Sequence, residues 1–165
     1  MEISIRPAGD RDIEALCEMY YEFHEFHVRG VPTHLRSLGD RERWDRSYLR
    51  EALGKIIQSD DAEVFVAEVA GKLAGLVEVY VRQDADEATL VQHRYAELQS
   101  VMVLSPFRRN GVGIRLVGVA RQWARDKGAT EMRLGVWEFN EAARAFYEAL
   151  GFKTLKRRMV AGLPA

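Results

Sequence analysis

With 165 residues, 47% of them hydrophobic and 30% charged, the chain has the size and composition of a single globular domain, predicted over residues 1–165. The 24 Lys and Arg residues nearly balance the 25 Asp and Glu residues, and a formal charge of −1 argues against nucleic-acid binding through a broadly basic surface. Cys17 has no second cysteine to pair with, no secretion signal is recognisable, and no apolar run reaches the ~20 residues of a membrane span, so a cytoplasmic protein without a membrane partner is expected.

The first third of the sequence predicts a strand followed by two helices. Ile3 and Ile5 alternate with polar residues ahead of Pro7, as in a short strand. A helix capped by Asp10 or Asp12 follows and is expected to end near Phe26; its apolar face consists of Ile13, Leu16, Cys17 and Tyr20. Residues 28–43 predict a loop, and a second helix then carries apolar residues at helical spacing, namely Leu49, Ala52, Leu53, Ile56 and Ile57.

The middle of the sequence predicts a β-hairpin and a further strand. Residues 64–69 and 73–82 are rich in apolar and β-branched residues, and the intervening Ala70-Gly71-Lys72 is a turn sequence. An acidic loop follows, and Tyr95 to Val103 predicts the next strand.

The last third predicts a helix, a strand, a helix and a final strand. The first helix starts at a glycine loop and is expected to bury Val112, Leu116, Val119, Ala120 and Trp123. A strand from Glu131 to Trp137, a helix starting at Asn140 and a strand or hairpin from Phe152 to Val160 complete the chain. The order β-α-α-β-β-β-α-β-α-β is an α+β or mixed α/β arrangement with a largely antiparallel front sheet.

A glycine loop precedes this helix, and its composition is typical of a pyrophosphate-binding site. It consists of Arg108-Arg109-Asn110-Gly111-Val112-Gly113. Glycines let backbone N–H groups approach phosphate oxygens, the start of a helix favours negative charge, and the two arginines add charged donors. A dinucleotide loop would need glycine where Leu116 stands, and Gly-Lys-Ser/Thr occurs nowhere in the chain. The alternative is a strand–helix turn that uses glycine only for close packing.

A second motif follows about 30 residues later and completes a family resemblance. It is Asn140-x-x-Ala143-x-x-Phe146-Tyr147-x-x-Leu150-Gly151-Phe152, which reads as a capped helix ended by glycine. With Arg108-x-x-Gly111-x-Gly113 before it, the sequence resembles the GNAT superfamily of acetyl-CoA-dependent N-acetyltransferases, closely over residues 96–155 and more loosely elsewhere.

The resemblance implies a fold, an activity and a cosubstrate. The fold is the acyl-CoA N-acyltransferase fold, a central, mostly antiparallel sheet flanked by helices. The activity is direct transfer of an acetyl group from acetyl-CoA to a primary amine, without a metal. Backbone groups of Val101, Met102 and Val103 are expected to pair with the pantetheine arm, and the remaining cofactor contacts fall on Arg108, Arg109, Asn110, Gly111, Val112, Gly113 and Asn140. Asn140 also has a simpler role available, as a helix N-cap.

Two catalytic roles follow from the same resemblance. Tyr147 is expected to protonate the departing coenzyme A thiolate, although its place beside a core stripe also fits simple packing. Glu97, four residues before Val101, is expected to accept the proton of the amine, directly or through water; its alternative role is to pair with a nearby arginine across the sheet.

The acceptor is not specified by these motifs. Several acids occur in segments that line the acceptor side in relatives, among them Glu22, Glu25, Glu97 and the Asp84–Glu87 loop, and they would suit a cationic small molecule or a basic peptide. The resemblance is also compatible with a homodimer, since members of the family are often dimers. The alternative functions are a coenzyme A-binding regulatory module that has lost catalysis, and a domain whose glycine loop binds another phosphate ligand.

Overall fold

A computed structural model describes residues 2–164, with four α-helices and five strands in that range. The strands are β1 (Ile3–Pro7), β2 (Ala62–Val69), β3 (Lys72–Gln83), β4 (Arg94–Val103) and β5 (Glu131–Arg133). The helices are α1 (Ile13–Gly30), α2 (Ser47–Ile57), α3 (Val112–Asp126) and α4 (Glu141–Ala149). Two short 3-10 turns, at Asp10–Asp12 and Ser105–Phe107, precede α1 and α3.

The chain divides into two compact units, the larger one ending at Gly135 and the smaller one starting at Val136. The larger unit contains the whole sheet, in the order β1-β2-β3-β4-β5. The first four strands pair antiparallel and β5 pairs parallel to β4. This mixed sheet with flanking helices confirms the predicted fold class.

Local sequence explains how the central hairpin forms. Ala70 and Gly71 both have positive φ, at 50° and 73°, which is the backbone twist of a tight hairpin turn. The predicted turn between β2 and β3 is therefore confirmed. A second irregularity lies between Glu78 and Val79, where the register with β4 slips by one residue, from Ser100 to Leu98. Such a bulge bends the strand and re-aims its side chains.

The core of the larger unit lies on both faces of the sheet. One face packs α1 and α2 against apolar residues of the central strands, including Leu16, Cys17, Leu53, Val64, Leu76 and Met102. The lone Cys17 is fully buried there, which confirms its interpretation as a core residue. Helix α3 contacts the sheet with Val112, Leu116 and Ala120 as predicted; Val117 and Ala124 complete the buried stripe instead of Val119 and Trp123, which are partly exposed.

Two predicted boundaries and one predicted strand are wrong. Helix α1 continues to Gly30 rather than ending near Phe26, because the helical hydrogen bonds run on until the Val31 N–H bonds to the His27 carbonyl. Strand β5 is three residues long, since only Glu131 to Arg133 pair with β4. Residues 152–164 contain no helix or strand, and the expected final strand is absent there because no ladder forms with another described strand. No helix within residues 2–164 combines the length and apolar character needed to cross a membrane.

Candidate active site

Strand β4 has an open edge at the residues predicted to bind the pantetheine arm. On one side, β4 pairs with β3 along its whole length, up to Val103 opposite Gly75. On the other side, β5 pairs only with Tyr95, Ala96 and Glu97. Within residues 2–164 no strand continues that ladder past Glu97, so the backbone from Val101 to Val103 faces a gap in the sheet. A backbone edge of this kind can accept an extended ligand as an added strand.

The glycine loop joins this open edge to the start of α3. The Arg108 Nε donates to the Val103 carbonyl over 2.8 Å, and the Asn110 side chain donates to the Arg108 carbonyl over 2.9 Å, so the loop folds back onto the end of β4. Gly111 precedes the helix with a φ of 81°, a conformation that favours glycine.

The N-terminus of α3 is open to an anion. No side chain within the described residues caps this 15-residue helix, and the first N–H groups of a helix have no acceptor inside it. A Cβ atom added at Gly111 would meet nothing within 4 Å, so the approach to these groups is clear. Arg108 and Arg109 are exposed beside it, and the local chemistry fits a pyrophosphate.

Close packing at Gly75 sets the position of α3 over the sheet. A Cβ atom at Gly75 would lie 2.5 Å from the Met102 carbonyl oxygen and 3.1 Å from a Leu116 methyl group. Only glycine permits β3, β4 and α3 to approach this closely. The sequence analysis did not identify this residue; the only signal for it is a glycine within an otherwise apolar strand.

Glu97 lies on β4 opposite Tyr80, on the sheet face that packs against α1. Its carboxylate forms an ion pair with Arg82, whose guanidinium also lies over the Tyr80 ring at 4.8 Å. The structure therefore contains the cross-strand arginine pair that the sequence offered as the alternative role of Glu97.

The acidic residues expected to attract a cationic acceptor mostly have partners already. Glu22 pairs with Arg41 at 2.6 Å, Glu25 accepts hydrogen bonds from the Ser37 hydroxyl and the Leu38 amide, and Asp84 pairs with Arg133 at 2.6 Å. Neutralised carboxylates attract a distant cation weakly. These pairs reduce the support for charge steering by this surface.

The smaller unit contains the other two predicted site residues. Asn140 is the N-cap of α4, and its side-chain oxygen accepts a hydrogen bond from the Ala143 amide over 3.2 Å. This bond satisfies one of the free donors at the start of the helix, so the capping role is present in the structure.

Tyr147 is held in place at the other end of α4. Gly151, with a φ of 86°, closes the helix: its amide donates to the Glu148 carbonyl, and the Phe152 amide donates to the Tyr147 carbonyl. The Tyr147 ring contacts Phe152 edge-on, with 5.6 Å between centroids, and also contacts Phe146. Burial raises the pKa of the Tyr147 phenol to about 12, so the phenol keeps its proton at physiological pH.

Comparison with solved structures identifies the fold independently. The chain superposes on a crystal structure of a mutant Bacillus halodurans protein with a TM-score of 0.87, at 22% identity and with 98% of this chain and 99% of that chain covered. It also superposes on the aminoglycoside acetyltransferase AAC(6′)-Iy bound to a CoA–acetylneamine bisubstrate analogue, with a TM-score of 0.69, 21% identity and both chains fully covered at 100%.

Sequence comparison identifies the family. Residues 14–152 match the Acetyltransferase (GNAT) family, and the chain belongs to that family. An uncharacterised N-acetyltransferase of Methanocaldococcus jannaschii is 27% identical over 151 residues, covering 91% of this chain and 60% of the relative. An aminoglycoside N(6′)-acetyltransferase of Klebsiella aerogenes is 30% identical over 107 residues, covering 65% of this chain and 69% of the relative. The chain thus spans less than two thirds of the length of the archaeal relative.

Proposed function

We propose that this protein transfers the acetyl group of acetyl-CoA directly to the primary amine of a small molecule. The observation that carries the proposal is the open edge of β4 beyond Glu97, which a short 3-10 turn and the glycine loop connect to the uncapped start of α3. The K. aerogenes relative is an aminoglycoside acetyltransferase by name, which supports a small-molecule amine over a peptide.

In this proposal the larger unit binds the cosubstrate. Backbone groups of Val101, Met102 and Val103 pair with the pantetheine arm, and an N–H near Val101 and Met102 stabilises the oxyanion that forms at the thioester carbonyl. The pyrophosphate binds at the glycine loop, through Arg108, Arg109, Asn110, Gly111, Val112 and Gly113. For Asn140 the family resemblance suggests a further cofactor contact, for which its side-chain nitrogen is not used by the N-cap bond.

The reaction then requires two proton movements. The amine arrives mostly as ammonium and must lose a proton before its nitrogen attacks the carbonyl carbon. When the carbon–sulfur bond breaks, the thiolate takes a proton, which we assign to the Tyr147 phenol. Burial raises the pKa of this phenol to about 12, so it is a weak acid that donates only when it touches the sulfur, and the resulting phenolate regains a proton from solvent before the next turnover.

The first experiment measures the melting temperature with saturating acetyl-CoA, coenzyme A or ATP. A ligand at about 100 times its dissociation constant adds about 2.7 kcal/mol to the free energy of unfolding, so a rise with the first two alone supports the cosubstrate assignment. Thiol release is then measured with kanamycin, spermidine and an unblocked peptide as acceptors. Binding of acetyl-CoA without turnover of any amine would favour the inactive coenzyme A-binding module. Absence of acetyl-CoA binding would overturn both the acetyltransferase and the coenzyme A-binding module.

A further inference from the structure

The sheet face beneath α1 contains a buried carboxylate whose partners are two phenols. Glu78, in the middle of β3, is 6% exposed. The Tyr20 hydroxyl, from α1, donates to Glu78 Oε2 over 2.5 Å, and the Tyr80 hydroxyl donates to Glu78 Oε1 over 2.5 Å. A charged residue at the centre of an apolar strand is the one sequence signal for this cluster.

Glu78 differs from the other buried acid of this unit in having no counter-ion. Asp12, which is 5% exposed, pairs with Arg6 over 2.7 Å. No Lys, Arg or His within residues 2–164 pairs with Glu78; its neighbours across the sheet are Val64 on β2 and Ser100 on β4. A buried carboxylate that lacks a cation costs free energy, and such groups concentrate at functional sites.

The cluster lies at the bulge beside the proposed thioester site. The register slip falls directly after Glu78, and it leaves Gln99 as the extra residue of β4, two positions before Val101. Tyr80 and Glu97 are register partners and therefore share the face that Glu78 occupies. Two carboxylates on one face are thus candidates for the proton of the acceptor ammonium.

Glu97 and Glu78 differ in the groups that they contact, and therefore in what happens when each takes up a proton. A proton taken up by Glu97 would weaken its ion pair with Arg82. A proton taken up by Glu78 would instead neutralise a buried charge that has no counter-ion, and a phenol can both donate and accept a hydrogen bond. Within residues 2–164, Tyr20 from α1 and Tyr80 from its own strand bond to Glu78, and the ion pair of Arg82 with Glu97 lies further along the same face of the sheet.

We propose, building on the acetyltransferase function above, that Tyr80 and Glu78 form a proton relay for the acceptor ammonium. The ammonium gives a proton to the Tyr80 oxygen while the Tyr80 hydroxyl proton passes to Glu78. The products are a neutral amine, an unchanged phenol and a protonated Glu78, which loses its proton to solvent after the acetylated product leaves. Tyr80 is the catalytic residue of this relay, and Glu78 acts through it.

The remaining contacts suit a relay that never forms a free phenolate. Burial and the Glu78 carboxylate raise the pKa of both Tyr20 and Tyr80, so both remain phenols. Ser100 is the register partner of Glu78 on β4 and lies on the same face of the sheet. Tyr20 keeps its hydrogen bond during the transfer and fixes the carboxylate.

The test compares Glu78→Gln with the unmodified protein across pH, by thiol release with the fastest acceptor among kanamycin, spermidine and the peptide. Near pH 7 the amine is protonated, and the variant is expected to lose at least about 100-fold in kcat, the lower range of acid–base catalysis. Near pH 10 the amine arrives neutral and the loss is expected to shrink to less than about 10-fold. Tyr80→Phe should show the same recovery at high pH.

Glu63→Gln is the matched control, because Glu63 lies on β2 opposite Val79 and therefore on the other face of the sheet. Its rate should match the unmodified protein at every pH, and both glutamine variants should keep their melting-temperature rise with acetyl-CoA. A loss for Glu78→Gln that is constant across pH would mean a structural role and overturn the relay. The relay is also overturned if Glu97→Gln alone gives the pH-dependent recovery. Failure of all three acceptors would contradict the transferase proposal itself, while turnover with the wrong pH pattern contradicts the relay only.

Discussion

Tyr147 and Phe152 are joined twice, by a 3.0 Å hydrogen bond from the Phe152 amide to the Tyr147 carbonyl and by an edge-on contact of their rings. The two contacts belong to one helix-ending motif, in which Gly151 takes a left-handed conformation and an apolar residue beyond it packs back onto the last turn. The orientation of the proposed proton donor therefore depends on a glycine four residues away.

Gly151→Ala is expected to lower the free energy of unfolding by about 1–2 kcal/mol, because a Cβ atom disfavours the φ of 86° at this position. A Cβ atom there would meet no atom within 4 Å, so the cost is conformational rather than steric. Urea denaturation measures the change. Gly162→Ala is the control, since that residue lies outside helices and strands and also has open space around it. Equal stabilities of the two variants would contradict the explanation.

Tyr147→Phe should lower kcat by about 100-fold or more and leave the affinity for acetyl-CoA unchanged, because only the proton given to the thiolate is lost. Since the pKa of Tyr147 is raised to about 12, the unmodified protein should not lose activity through ionisation of this phenol between pH 7 and 11. Steady-state kinetics over that range and calorimetric titration with coenzyme A provide the measurements. A variant with unchanged kcat at every pH would remove Tyr147 from the mechanism.

The elements with strong local signals were predictable from the sequence. The hairpin turn at Ala70 and Gly71, the buried α3 positions Val112, Leu116 and Ala120, and the Asn140 cap all depend on residues close together in sequence, and the structure contains each of them. The predicted site residues of the larger unit also lie close together in sequence, on β4, in the glycine loop that follows it and at the start of α3.

The features that sequence could not predict depend on tertiary pairing. Residues 152–160 have the composition of a strand, but a strand needs a partner, and no described strand pairs with them. Arg82 pairs with Glu97 because the bulge places β3 and β4 in a register that alternation alone cannot give. The open edge of β4 likewise depends on where β5 stops pairing.

Gly75→Ala should destabilise the protein by about 1–3 kcal/mol, the usual cost of overpacking, since its Cβ atom would lie 2.5 Å from a backbone oxygen that cannot move independently. The control is Gly118→Ala on the exposed side of α3, where nothing lies within 4 Å of the new atom and alanine favours the helix by up to about 1 kcal/mol. Thermal or urea unfolding should show a lower free energy of unfolding for Gly75→Ala and a higher one for Gly118→Ala. An unchanged free energy of unfolding for Gly75→Ala would contradict the close approach of β3 to β4.

Asp12→Asn should be destabilising at pH 7, by about 1.5–3 kcal/mol, because it replaces the buried carboxylate that accepts two charged hydrogen bonds from Arg6 and leaves that guanidinium with Glu68 as its remaining acidic partner, at 2.6 Å. The Arg6 hydrogen bonds lower the pKa of Asp12 below its ordinary value, so the stabilisation is present at neutral pH and is lost as the pH falls below about 4. The difference between the variant and the unmodified protein should therefore narrow in acid. A difference that stays constant from pH 7 to pH 3 would show that the charge of Asp12 is not what stabilises the fold.

Gly111→Ala should weaken the binding of coenzyme A. This loss of affinity should exceed what the lower stability of the folded variant alone would cause. The residue has a φ of 81° and open space around it, so alanine both strains the turn and places a methyl group on the approach to the first N–H groups of α3. Gly39→Ala provides a matched control, because Gly39 has the same φ of 81° and equally open surroundings in a loop outside the proposed site. Both variants should lose a similar stability, about 1–2 kcal/mol, in the absence of ligand. Only Gly111→Ala should lose the rise in melting temperature with coenzyme A, and equal rises in the two variants would mean that the glycine loop serves packing alone.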